Sequence, residues 1–374
     1  MLSKLPLNRD LLSNITPYIF ICFRLYYNNT KDNESKGEIM KKFTKSANLY
    51  AVNDLRYEDT NIEQIDESKV LIKVKSCGIC GSDIGRVYTK GTYKYPTVIG
   101  HEFSGVVEYD PLGEFTDKKV VVFPLLPCFK CNSCKEGNYA TCENYDYYGS
   151  RRNGGMTEYL VVKRWNILIM PDTLEFDEGA MCEPVSVARH AILKLDIQKG
   201  DNIFISGAGP IGIVAAQWAK MFGAENVYFS DIDERKIEFA QKLGFKEYEK
   251  GIIIDCALEG TGYSDALSSC LEYVKPRGKV VFMGNPAGEM CLSQNTYWHI
   301  LRKELKISGT WNSSYNDFEN DWKESLKAMA EKKINVKPLI TKRFPLSQCN
   351  DAFEMMKNKT EFYNKIILYM NEEE

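Results

Sequence analysis

The most compact group of reactive side chains is a set of four cysteines within 15 residues, Cys128, Cys131, Cys134 and Cys142. Their Cys-x2-Cys-x2-Cys-x7-Cys spacing can surround one tetrahedral Zn²⁺ with four thiolates. A redox-active or unpaired set of thiols is the alternative, but redox Cys-x-x-Cys pairs usually open a helix beside a strand. Four thiolates close the coordination sphere, so we expect a structural zinc that fixes a loop with little core of its own.

A second set of metal-ligand side chains is dispersed along the chain. Cys80 lies in CGICGSD, His101 and Glu102 lie in GHEFSG, and Glu183 lies in CEP. One thiolate, one imidazole and one or two carboxylates leave a zinc ion with an open position, as a catalytic site requires. Spacing alone does not group these residues, because Cys77 fits as well as Cys80 and His101 is equally compatible with a packed histidine.

A glycine-rich motif follows the apolar run NIFIS and opens a predicted helix; it consists of Gly207, Ala208, Gly209, Pro210, Ile211 and Gly212. In a dinucleotide site, Gly207 permits the tight turn, Gly209 lets the backbone approach a pyrophosphate, and Gly212 lets helix and strand pack closely. The N–H groups of the helix N-terminus then face the phosphates. Asp231, 24 residues beyond Gly207, would bind both ribose hydroxyls and repel a 2′-phosphate, which predicts NAD over NADP. The alternative is a structural glycine turn in some other α/β protein.

The elements that must position these residues divide the chain into two kinds of segment. Up to about residue 186 the chain is rich in Gly, Pro, Cys and Tyr, with short predicted strands such as 69–76. Between residues 202 and 284, the strands NIFISG, NVYFSD, GIIIDCA and KVVFMG alternate with helices at 211–222 and 234–243. This alternation predicts an α/β fold with a doubly wound parallel sheet. A helix is predicted at 318–333, and the C-terminal strand NKIILYM is predicted to return to the first domain.

CGICGSD, GHEFSG, the four-cysteine loop, CEP and GAGPIG occur in the order and at the separations of the zinc-containing medium-chain dehydrogenases. The chain resembles this family from about Met40 to its end, and FPLLPCFKCNSCKEGNYATC, YGSRRNGGMTEYLVVKR and LRKELKISGTWNSSY resemble its polyol-phosphate dehydrogenases. The resemblance implies a β-rich GroES-like catalytic domain at 40–186 and 316–374 and a Rossmann NAD-binding domain at 187–315. Residues 1–39 are expected to form an extension outside the fold. Segment 245–250 is shorter than in the family, which puts one strand-helix piece of the cofactor domain in doubt.

The resemblance also implies a role for each matching residue. In the family, the residues at the positions of Cys80 and His101 bind the catalytic zinc. The residues at the positions of Glu102 and Glu183 share the role of carboxylate zinc ligand, directly or through water. The four-cysteine loop holds the structural zinc, and Ser82 supplies the hydroxyl of a proton relay. The substrate hydroxyl would occupy the open zinc position, Ser82 would pass its proton outward, and hydride would go to the nicotinamide.

Paired arginines, Arg151 and Arg152 in GSRRNGG, are the substrate-binding candidates, because guanidinium forks match phosphate oxygens. Solvated loop arginines are the alternative. With the resemblance, they predict oxidation of a secondary alcohol of a sugar-alcohol phosphate, with galactitol 1-phosphate to tagatose 6-phosphate as the leading case. An unphosphorylated polyol such as sorbitol, or L-threonine, is the alternative substrate. A zinc- and NAD-binding sensor without catalysis is the more distant alternative.

Composition narrows the partners to small molecules. The net charge is −3, and the four-cysteine loop holds only Lys130 and Lys135 between its cysteines, so no nucleic-acid partner is expected. The apolar run 15–27 is interrupted by Pro17 and Arg24 and is too short to span a bilayer, so no membrane partner is expected. Clustered thiols favour metal binding in a reducing cytosol. The resemblance implies a homodimer or homotetramer, and we expect a dimer.

Overall fold

The computed structural model describes residues 42–286 and 288–370. The predicted extension at 1–39 lies outside the described residues. In the described part of the chain, no helix combines the length and apolar character needed to cross a bilayer.

Antiparallel strands dominate the first part of the described chain. They are β1 (Phe43–Ala51), β2 (Asp54–Asn61), β3 (Lys69–Gly78), β4 (Thr97–Val98), β5 (Glu102–Tyr109), β6 (Lys119–Val122), β7 (Leu125–Leu126), β8 (Asp146–Tyr147), β9 (Tyr159–Lys163) and β10 (Ile167–Ile169). Short helices interrupt them at α1 (Gly81–Gly85), a π-helical turn at Arg86–Lys90, and α2 (Asn132–Lys135). Single 3₁₀ turns lie at Tyr139–Thr141, Arg164–Asn166, Lys337–Leu339 and Leu346–Gln348.

Strand β3 organises the larger antiparallel sheet. Its apolar side chains Val70, Ile72 and Val74 are fully buried, as the alternating pattern of this segment requires. Along one path the strand order is β10-β6-β5-β3, and β9 also pairs with β3. The register of β3 against β5 places Gly78 opposite Glu102, at the end of the strand from which the CGICGSD loop departs.

The second part of the chain contains a six-stranded sheet in the order β13-β12-β11-β14-β15-β16, in which each strand runs parallel to its neighbours. Its strands are β11 (Asn202–Ser206), β12 (Asn226–Ser230), β13 (Lys246–Glu247), β14 (Ile254–Glu259), β15 (Val274–Phe282) and β16 (Lys306–Gly309). The accompanying helices are α3 (Phe176–Ala180), α4 (Cys182–Leu193), α5 (Pro210–Met221), α6 (Glu234–Lys242), α7 (Ser264–Tyr273) and α8 (Gln294–Arg302). Strands β12 and β13 lie on one side of β11, and β14, β15 and β16 lie on its other side. Because the strand order switches sides at this point, a ligand crevice is expected beyond the carboxyl ends of β11 and β14.

The shortened segment does not reduce this sheet below six strands. Residues 246–247 form the edge strand β13, and the chain then reaches β14 without an intervening helix in this described stretch. The sheet therefore keeps a strand in the segment whose contribution was in doubt.

The C-terminal part closes the antiparallel sheet. It contains α9 (Asp321–Ala330), β17 (Ile340–Pro345), α10 (Cys349–Asn358) and β18 (Lys365–Tyr369). Strand β18 pairs antiparallel with β3, Leu368 lying opposite Cys77. This return places Lys365, the first residue of β18, close to the CGICGSD loop. Helix α9 is shorter than the predicted 318–333, because the Asn320 side chain accepts the Lys323 N–H and begins the helix there.

Candidate active site and metal centres

The four clustered cysteines converge on one point, and all four sulfur atoms lie within 4.8 Å of one another. The Sγ atoms of Cys128 and Cys134 are 3.9 Å apart, and those of Cys131 and Cys142 are 4.0 Å apart. A tetrahedral zinc with Zn–S bonds of about 2.3 Å needs S···S edges of about 3.8 Å. The four thiols therefore fit one zinc ion with no position left open.

Local backbone geometry prepares these thiols for metal binding. The N–H groups of Lys130 and Cys131 point at Cys128 Sγ, at 3.5 and 3.4 Å, and they lower the pKa of this thiol to about 6. Phe129 and Tyr139 from the same loop pack edge-on against Trp165, with ring centroids 5.1 and 5.5 Å away. These aromatic contacts attach the loop to the antiparallel domain, and a zinc ion held by the four thiols would fix the conformation of the loop itself.

Cys80, His101 and Glu102 form the second cluster, with ligand atoms within 4.8 Å of one another. Cys80 immediately precedes α1, Glu102 is the first residue of β5 and His101 directly precedes it, so the pairing of β3 with β5 brings the three together. His101 is buried, and its Nδ1 lies 3.5 Å from Asp83 Oδ1 without a hydrogen bond. A carboxylate beside one ring nitrogen commonly orients a metal-binding histidine. A thiol, an imidazole and a carboxylate fit a zinc site with an open position.

Lys365 enters this cluster from the far end of the chain, and no sequence pattern indicated it. Its Nζ lies 2.8 and 2.5 Å from the two carboxylate oxygens of Glu102 and also donates to the Ile79 carbonyl at 3.3 Å. The side chains of Lys365 and Glu102 are only 4% and 1% exposed. Gly78 completes the enclosure, because a Cβ at that position would overlap Glu102 Oε2.

Glu183 lies beside this cluster but outside the group of ligand atoms that meet. It is buried in the first turn of α4 and accepts a hydrogen bond from the Tyr147 hydroxyl at 3.4 Å. Burial, reinforced by the charge of Glu102, raises the pKa of Glu183 to about 7. The Tyr147 ring lies 5.8 Å from the His101 ring, so Tyr147 and Glu183 form one wall beside the predicted metal ligands.

Ser82 is held by a neighbour that the sequence reasoning did not identify. Arg86 Nη1 donates to Ser82 Oγ at 2.7 Å and to Asp83 Oδ1 at 2.9 Å. The other oxygen of Asp83 accepts the Cys80 N–H at 3.1 Å. The steps of three residues from Cys80 to Asp83 and from Asp83 to Arg86 are the only signal in the sequence that could have suggested this network.

The glycine motif and the Cys80 cluster face a common cavity of about 670 Å³. Gly207 has φ of +101°, which favours glycine, and a Cβ on Gly212 would overlap the Gly207 carbonyl oxygen. Helix α5 begins at Pro210, directly after the turn. Residues contributing to the cavity wall from the two sites are Cys80, Glu102, Gly207, Gly209, Ile211 and Lys365.

Asp231 also lines this cavity, beyond the carboxyl end of β12. Its carboxylate accepts the Ala208 N–H at 2.9 Å and the Asp233 N–H at 2.9 Å. These two bonds fix the carboxylate beside the glycine turn, where the ribose of a dinucleotide is expected.

The two candidate substrate arginines have different surroundings. Arg152 Nε donates to Asp146 Oδ2 at 2.8 Å, so its charge is neutralised locally. The Arg151 guanidinium lies between two aromatic rings, 4.0 Å from the centroid of Tyr93 and 4.6 Å from that of Tyr145. Its Nε is buried without a hydrogen-bond partner in the structure.

Comparisons with known proteins agree with this architecture. Residues 66–172 match the alcohol dehydrogenase GroES-like domain, and residues 210–331 match the zinc-binding dehydrogenase domain. Galactitol 1-phosphate 5-dehydrogenase of Escherichia coli K12 is 33% identical over 298 residues, covering 74% of this chain and 86% of that protein. Sorbitol dehydrogenase of Bacillus subtilis is 29% identical, covering 87% of this chain and 97% of that protein.

A solved structure extends the likeness to three dimensions. The crystal structure of galactitol-1-phosphate dehydrogenase from Escherichia coli superposes with a TM-score of 0.80 and 30% identity, covering 87% of this chain and 99% of that one. The expected GroES-like and Rossmann fold is thereby confirmed. The chain therefore belongs to the zinc-containing medium-chain dehydrogenase/reductase family and is a zinc-containing alcohol or polyol dehydrogenase.

Proposed function

We propose that this enzyme oxidises a secondary hydroxyl of a sugar-alcohol phosphate and transfers the hydride to NAD, with galactitol 1-phosphate to tagatose 6-phosphate as the leading case. The observation that carries the proposal is the shared cavity: Cys80 and Glu102 line the same space as the glycine motif 207–212. An alcohol held at the Cys80 cluster then lies beside the end of the cavity where a nicotinamide ring would reach.

Cys80 and His101 would hold the catalytic zinc, with Glu102 or Glu183 as the carboxylate, and the zinc supplies the Lewis acidity that lowers the pKa of the substrate alcohol. Ser82 Oγ is the hydroxyl placed to take up the substrate proton, because Arg86 holds it beside Cys80. Asp83 contacts Arg86, His101 and the Cys80 N–H, so it fixes the position of the CGICGSD loop relative to the His101 imidazole.

Asp231 supports the choice of NAD over NADP. Its carboxylate is fixed beside the glycine turn by two backbone N–H groups. A fixed negative charge there binds ribose hydroxyls and repels a 2′-phosphate.

Arg151 supports a phosphorylated substrate, and Arg152 does not. Two tyrosine rings stack against the Arg151 guanidinium and hold it in place. The backbone N–H groups of Arg151 and Arg152 both donate to the carbonyl of Tyr147, a residue of the active-site wall. Arg152 is already paired with Asp146. The resemblance to galactitol 1-phosphate 5-dehydrogenase favours the same substrate class.

The test is NAD⁺ reduction with galactitol 1-phosphate, galactitol, sorbitol and L-threonine as substrates. Arg151→Ala is expected to raise KM for the phosphorylated substrate by about 10- to 100-fold, the loss expected for charge-assisted hydrogen bonds. Arg152→Ala is the matched control and should leave KM within about threefold. If the wild-type enzyme shows no preference for galactitol 1-phosphate over the unphosphorylated substrates, the proposal of a phosphorylated substrate is refuted.

An unphosphorylated polyol is the second candidate substrate, favoured by the likeness to sorbitol dehydrogenase. Activity on sorbitol or L-threonine alone would establish this alternative and keep the zinc-hydride mechanism. A lack of turnover on every one of these substrates would refute both substrate assignments.

We also propose that the enzyme is a homodimer joined at the outer strand of its parallel sheet. Edge strand β16 is exposed along its whole length, and Tyr297 and Leu301 of the neighbouring helix α8 are 53% and 56% exposed. An unpaired edge beside apolar side chains invites pairing with a second copy. Ile307→Lys, in the middle of β16, should convert the dimer to a monomer in analytical ultracentrifugation, whereas an unchanged mass would refute this interface.

A cytosolic location is proposed on the chemistry of the cysteines. The eleven described cysteines form no disulfide, and four of them converge as metal ligands. This use of thiols is typical of reducing compartments.

A further inference from the structure

Arg86 places a positive charge next to Ser82, and the mechanism above uses this arginine only to hold the Ser82 hydroxyl. It begins the π-helical turn after α1, and its side chain is 20% exposed. Among the residues that the structure describes, only Ser82 and Asp83 accept hydrogen bonds from this side chain, both from Nη1. Nη1 lies 2.9 Å from Asp83 Oδ1, and Asp83 Oδ2 accepts the Cys80 N–H, so the guanidinium lies next to the loop that carries the predicted zinc ligand Cys80.

The rest of this guanidinium is free to bind a ligand. A guanidinium carries five N–H donors in a fixed plane and accepts no hydrogen bond. Within residues 42–286 and 288–370, Nε and Nη2 of Arg86 have no hydrogen-bond partner, and neither is sealed from solvent.

We propose, on the basis of the proposed polyol oxidation, that Arg86 is a specificity-determining residue that donates a hydrogen bond to the hydroxyl on the carbon next to the reacting one. A substrate oxygen hydrogen-bonded to Ser82 Oγ lies about 2.8 Å from it, which places that oxygen about 4–5 Å from Arg86 Nη1. The oxygen on an adjacent carbon is about 3 Å from the reacting oxygen and so falls within reach of the free guanidinium donors. The substrate class selected in this way is the vicinal diol, and the product is an α-hydroxy ketone.

The experiment compares 2,3-butanediol with 2-butanol, which share one carbon skeleton and differ by one hydroxyl. Arg86→Met should lower kcat/KM for both alcohols, because Ser82 loses the group that holds it, but the loss should be about 10- to 100-fold larger for the diol than for 2-butanol. Arg56→Met is the matched control, because Arg56 is an exposed arginine paired with Asp54. Calorimetric titration of the zinc enzyme–NADH complex gives the Kd of each alcohol without turnover, and only the diol should bind more weakly to the variant.

An equal loss for both alcohols, in kcat/KM or in Kd, would overturn the proposal and leave Arg86 a positioning residue for Ser82. Zinc content and circular dichroism show whether Arg86→Met folds; if it does not, Arg86→Lys carries the test. This variant keeps the charge but loses the planar fork, so its diol Kd should still rise relative to that of 2-butanol. Failure of the proposed function would be seen in the wild-type enzyme instead, which would then oxidise no polyol or show no preference for a phosphorylated one.

Discussion

Replacing Lys365 by Met tests the most unexpected contact of the site, its buried ion pair with Glu102. The substitution keeps the length and the apolar stem of the side chain but removes the charge. Glu102, 1% exposed, would then keep a carboxylate without its cationic partner. Removing one partner of a buried ion pair costs about 3–5 kcal/mol, because the remaining charge stays desolvated.

This cost converts into a measurable shift of the unfolding temperature. For a folded region of roughly 330 residues, with about 2 cal/mol/K of unfolding entropy per residue, it lowers Tm by about 4–7 °C. Differential scanning calorimetry of the zinc enzyme at one fixed scan rate measures the shift.

The double variant Lys365→Met/Glu102→Gln is the control, because it removes both charges. It should regain at least half of the lost stability, since no uncompensated charge remains. A Tm of Lys365→Met within about 1 °C of the wild type, with no gain in the double variant, would refute the reasoning. Glu102 would then be stabilised by something other than Lys365.

Three further predictions concern single positions. Gly78→Ala should destabilise the enzyme by about 1–3 kcal/mol and lower its zinc content, since the new Cβ overlaps Glu102 Oε2. Gly288→Ala, whose Cβ would meet open space, is the control and should leave stability and zinc content unchanged. Cys131→Ser should reduce bound zinc from about two ions to about one per chain by elemental analysis, and an unchanged zinc content would argue against the four-thiolate site. Asp231→Ser should raise kcat/KM for NADP relative to NAD by at least about 10-fold, because it removes the fixed charge that opposes a 2′-phosphate; an unchanged ratio would place NADP discrimination elsewhere.

The sequence could predict the sites whose parts are neighbours along the chain. The strand, glycine turn and helix around Gly207 are contiguous, so local conformation alone specifies the turn and the start of α5. The same holds for the loop from Cys128 to Cys142, whose spacing limits the sulfur atoms to one region. Element boundaries were less predictable: α9 begins after Asn320 because of a side-chain cap that apolar periodicity does not encode.

Family resemblance, more than spacing, singled out Cys80, His101 and Glu183 in advance. Pairing of β3 with β5 brings Cys80 next to His101. The register between these two strands is set by which faces are buried in the folded protein, so local sequence patterns do not reveal it. The structure places Glu183 beside Tyr147 and outside the group of meeting ligand atoms, so its share in metal binding stays a prediction.

By itself, then, the sequence determined the chemistry that is available: a four-thiolate zinc site, a dinucleotide turn and a set of catalytic ligand types. Tertiary structure alone decided which charges act together. Lys365 reaches Glu102 across 263 residues because β18 returns to pair with β3. The adjacent arginines 151 and 152 receive different partners, an aromatic pair and a carboxylate. Such pairings depend on the packing of distant elements, which burial and strand register specify and local periodicity does not.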